Sequence, residues 1–265
     1  MAARRASRRS TPYGDAPAQV ADLWLPSGEA SRVAVLVHGG YWQAGYDRDL
    51  QEQLAVDLVA GGWAVWNADY RAVGDGGGWP ATLADVAAAV DALGPAAREH
   101  GLPLDRVASA GHSAGGQLAL WAAARDRLPQ GAPGAAATGS PQVRPAAVVA
   151  QAAVADLVAA HRLGLGDGAV ASLLGGGPQQ VPERYAAADP SRLLPLGVPL
   201  LVVTGEDDDL VPPSMSQRLA AAARAAGDDA VLEVVPGEDH FAHLDPASRC
   251  WALTRAWLDA VLPPT

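Results

Sequence analysis

The 265-residue chain predicts an α/β fold, a mostly parallel central sheet with helices on both faces. Two observations predict it. After residue 30, short Val/Leu/Ala runs bounded by Gly, Pro or Asp alternate with longer Ala-rich stretches. The short runs are apolar throughout, which marks strands buried on both faces. Residues AVILMFWYC make up 49% of the chain against 18% charged, so a sizeable core is available to such a sheet.

The elements follow in order. Residues 20–25, with Ala-Asp-Leu-Trp-Leu at their centre, alternate as an antiparallel edge strand does. Buried strands are predicted at 32–37, 63–69, 106–110, 146–150, 199–204 and 230–235. Helices are predicted at 48–60, 82–93, 115–124, 214–226 and 246–261. Residues 161–195 break the pattern: Gly and Pro punctuate them, as in Leu173-Leu174-Gly175-Gly176-Gly177-Pro178, and no long periodicity runs through. The strand pattern resumes at Pro199, so this segment reads as a cap or small insertion after the sixth core strand. Residues 13–265 read as a single domain and 1–12 as a mobile, solvated tail.

Composition excludes several classes. All 19 basic residues are arginine, isoleucine is absent and the formal charge is −10, with an isoelectric point near 4.9. A nucleic-acid binder needs a basic face, so nucleic acid is not an expected partner, nor is an anionic membrane. The single cysteine, Cys250, excludes an intrachain disulfide and a Cys-based metal site. Apolar runs fall short of the roughly 18–20 residues that span a bilayer. Arg4–Arg5 and Arg8–Arg9 are not followed by an apolar stretch, so no export signal is complete and a cytoplasmic location is expected.

The motif Gly111-His112-Ser113-Ala114-Gly115 lies between a predicted strand and a predicted helix. A serine at such a turn is held in strained geometry, and glycines two residues to either side let the chain pass without a clash. The helix start behind it aims free N–H groups at developing negative charge. A serine hydroxyl needs a base, itself oriented by an acid, and here both are expected after late strands in the order Ser, acid, His. The run Gly205-Glu206-Asp207-Asp208-Asp209-Leu210-Val211-Pro212 offers the acid. Asp208, three residues before Val211-Pro212, is favoured among four adjacent carboxylates. Pro236-Gly237-Glu238-Asp239-His240-Phe241 offers the base, with His240 favoured over His243 because it lies just past its strand.

A second motif, His38-Gly39-Gly40-Tyr41-Trp42, ends the first buried strand. Its glycines allow backbone N–H groups of Gly40 and Tyr41 to join that of Ala114 around an oxyanion. His38 reads as a hydrogen-bonding support of this loop. Trp42 suits either core or pocket wall. His112, beside the nucleophile, and Trp79 are further candidate substrate contacts. Asp69 and Arg71 are placed to pair and brace the loops.

From about Tyr13 onward the chain resembles the α/β-hydrolase fold. His38-Gly39-Gly40-Tyr41-Trp42 resembles the HGGxW motif of kynurenine formamidases (arylformamidases) and related small esterases. Hormone-sensitive-type lipases and esterases carry a third glycine where this chain has Tyr41, and that branch fits less well. The resemblance implies a Ser113–Asp208–His240 triad that hydrolyses a small carboxylic ester or a formamide without metal or cofactor. A non-catalytic binding protein of the same fold, a thioesterase and a peptidase are the competing readings.

Overall fold

The computed structural model describes residues 7–135 and 143–265. Eight strands form one sheet in the order β1-β2-β4-β3-β5-β6-β7-β8. The strands are β1 (Ser7–Pro12), β2 (Val20–Leu25), β3 (Val33–Val37), β4 (Ala64–Ala68), β5 (Val107–His112), β6 (Ala147–Gln151), β7 (Leu200–Gly205) and β8 (Ala230–Val235). β1 and β2 run antiparallel and β3 to β8 are parallel, with Val35 of β3 level with Trp66 of β4 and Ser109 of β5.

Alternation along each strand divides the core. Val33, Val35 and Val37 of β3 face one layer, which holds α2 (Ala81–His100), α3 (Ala114–Ala123) and α7 (Pro213–Ala225). Ala34 and Leu36 face the other, which holds α1 (Glu52–Ala60) and α8 (Arg249–Val261). Every residue of β3, β4, β5, β6 and β7 is buried, as strands covered on both faces must be. Among the described residues, no helix is long and apolar enough to cross a membrane.

Three expectations change. The first is the free tail. From Ser7 the chain is an ordered edge strand, held where Arg8 reaches Asp22 on β2, while residues 1–6 of the expected tail lie outside the described residues. The second is the end of α2, which continues seven residues beyond Leu93 to His100. Pro95 lies inside the helix on its exposed side, and Leu93, Ala96 and Ala97 extend the buried stripe past it. The third is the segment between β6 and β7. It is mostly helical and starts before residue 161: α4 (Leu157–Leu163), α5 (Ala169–Leu174) and α6 (Pro182–Ala188) are joined through glycines. Asp189 ties the segment together, accepting from the Leu157 N–H at 3.1 Å and from the Ser191 N–H and hydroxyl at 3.0 and 2.7 Å.

Candidate active site

β5 delivers Ser113 directly into α3. Ser113 has φ 57° and ψ −119°, a region non-glycine residues rarely occupy and one that costs on the order of 1–3 kcal/mol. The turn closes only around glycine. A Cβ on Gly111 would overlap the Gly115 carbonyl, and one on Gly115 would overlap the Val37 carbonyl. Ser113 is pinned by its own backbone: its N–H donates to Gln151 O at 2.8 Å, and its carbonyl accepts from the Val154 N–H at 3.2 Å.

The candidate acid and base stand on the loops after β7 and β8. His240 Nδ1 lies 2.7 Å from Asp208 Oδ2, while Asp208 Oδ1 accepts the Leu210 and Val211 N–H groups at 3.0 and 2.8 Å. The Asp208 carboxylate is fully buried, whereas Glu206, Asp207 and Asp209 are exposed. The short helical turn that starts at His240 is capped by Asp239, which accepts from Phe241 N–H at 2.9 Å and Ala242 N–H at 3.0 Å. Next to it, burial pushes the Glu238 carboxyl up, but the Arg249 and Cys250 N–H groups outweigh this and hold it below its ordinary range.

The His38–Trp42 loop lies over the serine turn. A Cβ on Gly39 would come 2.8 Å from the His112 carbonyl, so only glycine allows this approach. Among the described residues, the N–H groups of Gly40, Tyr41 and Ala114 have no backbone acceptor. Tyr41 and Trp42 both adopt left-handed backbone, with φ 52° and 57°. The Tyr41 ring packs against Gly166, between α4 and α5, where it would overlap a Cβ on that glycine. Burial, then the nearby Asp208 charge, raises the Tyr41 phenol above its ordinary pKa.

Three sequence expectations are corrected here. Trp42 is core rather than substrate contact: it is 1% exposed and its indole N–H donates to Gln117 Oε1 at 3.0 Å. His112 is likewise buried and faces protein. Its Nε2 donates to the His240 carbonyl at 2.8 Å, and burial, with His240 and His243 alongside, drives its pKa well below the usual histidine value. Asp69 does not pair with Arg71. Asp69 takes His38 and Arg48, and Arg71 forms two contacts of 2.7 Å with Asp85. Most of the tryptophans serve packing too: Trp24, Trp42, Trp63, Trp66, Trp121 and Trp251 are buried.

Trp79 is half-buried, and its N–H donates to Leu173 O at 2.6 Å, joining its loop to α5. His243 is fully buried, and neither of its ring nitrogens has a hydrogen-bond partner among the described residues. Burial pushes its pKa down to about 4. Sequence reading missed Gln117, which braces Trp42 and donates to Ala188 O at 2.9 Å. It sits in an otherwise apolar helix, and that isolated amide was the available signal.

The sheet order, the strained serine between β5 and α3, and the acid and histidine on the last two strand loops together define an α/β-hydrolase fold. The chain belongs to the BD-FAE family, whose profile matches residues 21–223. Esterase LipC of Mycobacterium tuberculosis is 35% identical over 132 residues, which make up 48% of this chain and 32% of LipC; the match therefore spans about a third of that relative. Monoacylglycerol lipase of Mycolicibacterium smegmatis is 29% identical over 264 residues, covering 87% of this chain and 88% of the lipase. Among solved structures, a truncated carbohydrate esterase from gut microbiota superposes with a TM-score of 0.80 at 20% identity, covering 96% of each chain. Esterase 2 of Thermogutta terrifontis gives 0.76 at 20% identity, over 97% of this chain and 94% of that one. These structural matches establish the fold.

Proposed function

We propose that the protein is a serine hydrolase that cleaves small carboxylic esters through an acyl-enzyme on Ser113. The observation that carries this reading is the 2.7 Å His240–Asp208 pair on the two loops that follow β7 and β8. Asp208 accepts from His240 Nδ1 and leaves Nε2 as the acceptor for the serine proton. Ser113 attacks the ester carbonyl, and His240 takes its proton and then delivers it to the leaving alkoxide. Water repeats the sequence to release the acid. The N–H groups of Gly40, Tyr41 and Ala114 hold the oxyanion, at a helix start whose dipole favours negative charge. The scheme uses no cofactor. Kinship with an esterase and a monoacylglycerol lipase supports the choice of ester.

Residues 13–265 are read as one catalytic domain, with the segment between β6 and β7 roofing the acyl site. The contact between Tyr41 and Gly166 favours that roof. A formamide substrate such as N-formylkynurenine is the second reading, favoured by His38-Gly39-Gly40-Tyr41-Trp42.

Initial rates on p-nitrophenyl acetate, butyrate and octanoate and on N-formylkynurenine, each beside Ser113→Ala, test both readings. Ester turnover lost in Ser113→Ala supports the first, and a higher kcat/KM on the formamide selects the second. Turnover retained by Ser113→Ala sinks both. Fluorophosphonate labelling of wild type but not Ser113→Ala reports activation of the serine independently of substrate.

A further inference from the structure

An unbroken line of charge-assisted contacts runs from the outer edge of the sheet to the His38–Trp42 loop. Arg8 on β1 donates to Asp22 Oδ2 from Nε at 3.0 Å and from Nη2 at 2.7 Å. Asp22 is completely buried, and it also accepts from Ser10 Oγ at 2.5 Å and Arg48 Nε at 2.7 Å. Arg48 turns its Nη1 to Asp69 Oδ2 at 3.0 Å. Asp69 Oδ1 accepts the Tyr70 N–H at 2.9 Å and lies 3.0 Å from His38 Nε2. His38 Nδ1 in turn lies 2.8 Å from Gly39 O, its ring stacks on Tyr70 at 4.2 Å and 5°, and its carbonyl accepts from the Tyr70 hydroxyl at 2.9 Å.

The loop at the end of this line needs external restraint. Tyr41 and Trp42 hold left-handed backbone, which persists only where the surroundings over-determine it. Trp42 has its own ties, through Gln117 and through the Val73 N–H, which donates to its carbonyl at 2.7 Å. Gly40 has one main-chain tie, its carbonyl accepting from the Gln43 N–H at 2.9 Å, and Gly39, next to it, is held by the His38 ring, whose Nδ1 lies 2.8 Å from its carbonyl. The orientation of that ring depends on Asp69, and the buried Asp69 carboxylate depends on Arg48. Arg48 is shared with Asp22, whose second cation is Arg8. Removing Arg8 leaves Asp22 with Arg48 as its remaining arginine partner, which draws that guanidinium away from Asp69.

We propose that the edge strand β1 is a positioning element for catalysis: Arg8, acting through Asp22, Arg48 and Asp69, fixes the His38 ring and with it the N–H groups of Gly40 and Tyr41. This rests on the oxyanion role given to those groups above. A purely structural role for the same contacts would change melting temperature alone.

The test measures kcat and KM on the best p-nitrophenyl ester, the inhibition constant of an alkylboronic acid, and the melting temperature. The variants are Asp69→Asn, Arg48→Met, Arg48→Lys and Arg8→Met. A boronic acid forms a tetrahedral adduct on the serine and so reads oxyanion geometry without turnover. Asp69→Asn and Arg48→Met are expected to lower kcat about 10- to 100-fold, as small misplacements of catalytic groups do, with KM within about two-fold. Arg8→Met is expected to lower kcat about three-fold, in proportion to a part-exposed ion pair. Boronate affinity falls by the same factor as kcat in each variant, and Arg48→Lys recovers part of it.

Wild-type kcat and boronate affinity in the folded variants, with melting temperature reduced, would overturn the proposal. Should Asp69→Asn fail to fold, Arg8→Met at the sheet edge decides: unchanged kcat and boronate affinity overturn it. Failure of the underlying reading looks different, since Ser113→Ala would then keep turnover and the boronate would not inhibit wild type.

Discussion

His112 Nε2 donates to the main-chain carbonyl of His240 at 2.8 Å, so the residue before the serine grips the loop that carries the histidine. The two rings lie 4.5 Å apart at 52°. The carbonyl can only accept, which places the His112 proton on Nε2. Replacing His112 with Leu leaves a buried acceptor unpaired, at about 1–3 kcal/mol. The expected result is a lower melting temperature and a several-fold loss of kcat with little change in KM. His112→Gln, which keeps a donor, recovers part of both. Because His112 is held neutral, the ratio of wild-type to His112→Leu rates stays flat from pH 6 to 9.

Asp208→Asn keeps the volume of the acid but offers His240 Nδ1 an amide. The amide oxygen can keep the Leu210 and Val211 N–H groups, which share Asp208 Oδ1, but the NH2 that replaces Oδ2 donates and cannot accept from His240 Nδ1, so it favours the wrong imidazole tautomer. We expect kcat to fall by about 10⁴ with KM within a few-fold, the scale set by loss of a triad carboxylate. Asn at Asp207 or Asp209, both exposed, is expected to leave kcat within about two-fold.

Gly115→Ala forces a methyl group into the Val37 carbonyl. Backbone cannot yield there without moving β3, so the variant is expected to lose about 3 kcal/mol or more of stability in urea unfolding. Gly28→Ala serves as the control. A Cβ on Gly28 meets nothing within 4 Å, and its stability is expected to stay within about 0.5 kcal/mol of wild type.

Asp189 couples the segment between β6 and β7 to pH. Burial raises its carboxyl to about 6, with the Asp156 charge adding to this and Ser191 and Arg192 opposing it. An unfolded aspartate titrates near pH 4, so between about 4 and 6 the native state holds a proton the unfolded chain has released. Its contribution to stability is full below about pH 4 and is lost as pH rises through 6, by on the order of 3 kcal/mol. Urea unfolding at pH 4.5 and 7 should therefore show a steeper decline in wild type than in Asp189→Asn. Equal slopes in the two proteins would refute the assignment.

The legible parts of the molecule were those encoded locally. Ser113 lies between a strand and a helix within a five-residue motif, and Asp208 and His240 each follow an apolar run, so period and punctuation locate them. Asp69 was readable as a bracing residue but not its partner. Arg71 is two residues away in sequence, yet both its main-chain N–H and its guanidinium go to Asp85 of α2, leaving Asp69 to His38 and Arg48. β1 was hidden for the same reason. Ser-Arg-Arg-Ser-Thr-Pro carries no apolar alternation, and only Asp22 and its neighbours make it a strand.

Phe241 stands immediately after His240, 59% exposed, with its ring edge-on to the imidazole at 5.4 Å, and it is the one phenylalanine in the chain. Biosynthetic replacement of phenylalanine by a fluorinated analogue therefore installs a single fluorine label, beside His240, without a mutation. If the proposed mechanism holds, one ¹⁹F resonance would follow the imidazole as it changes charge and Ser113 as it is acylated, a native reporter of turnover.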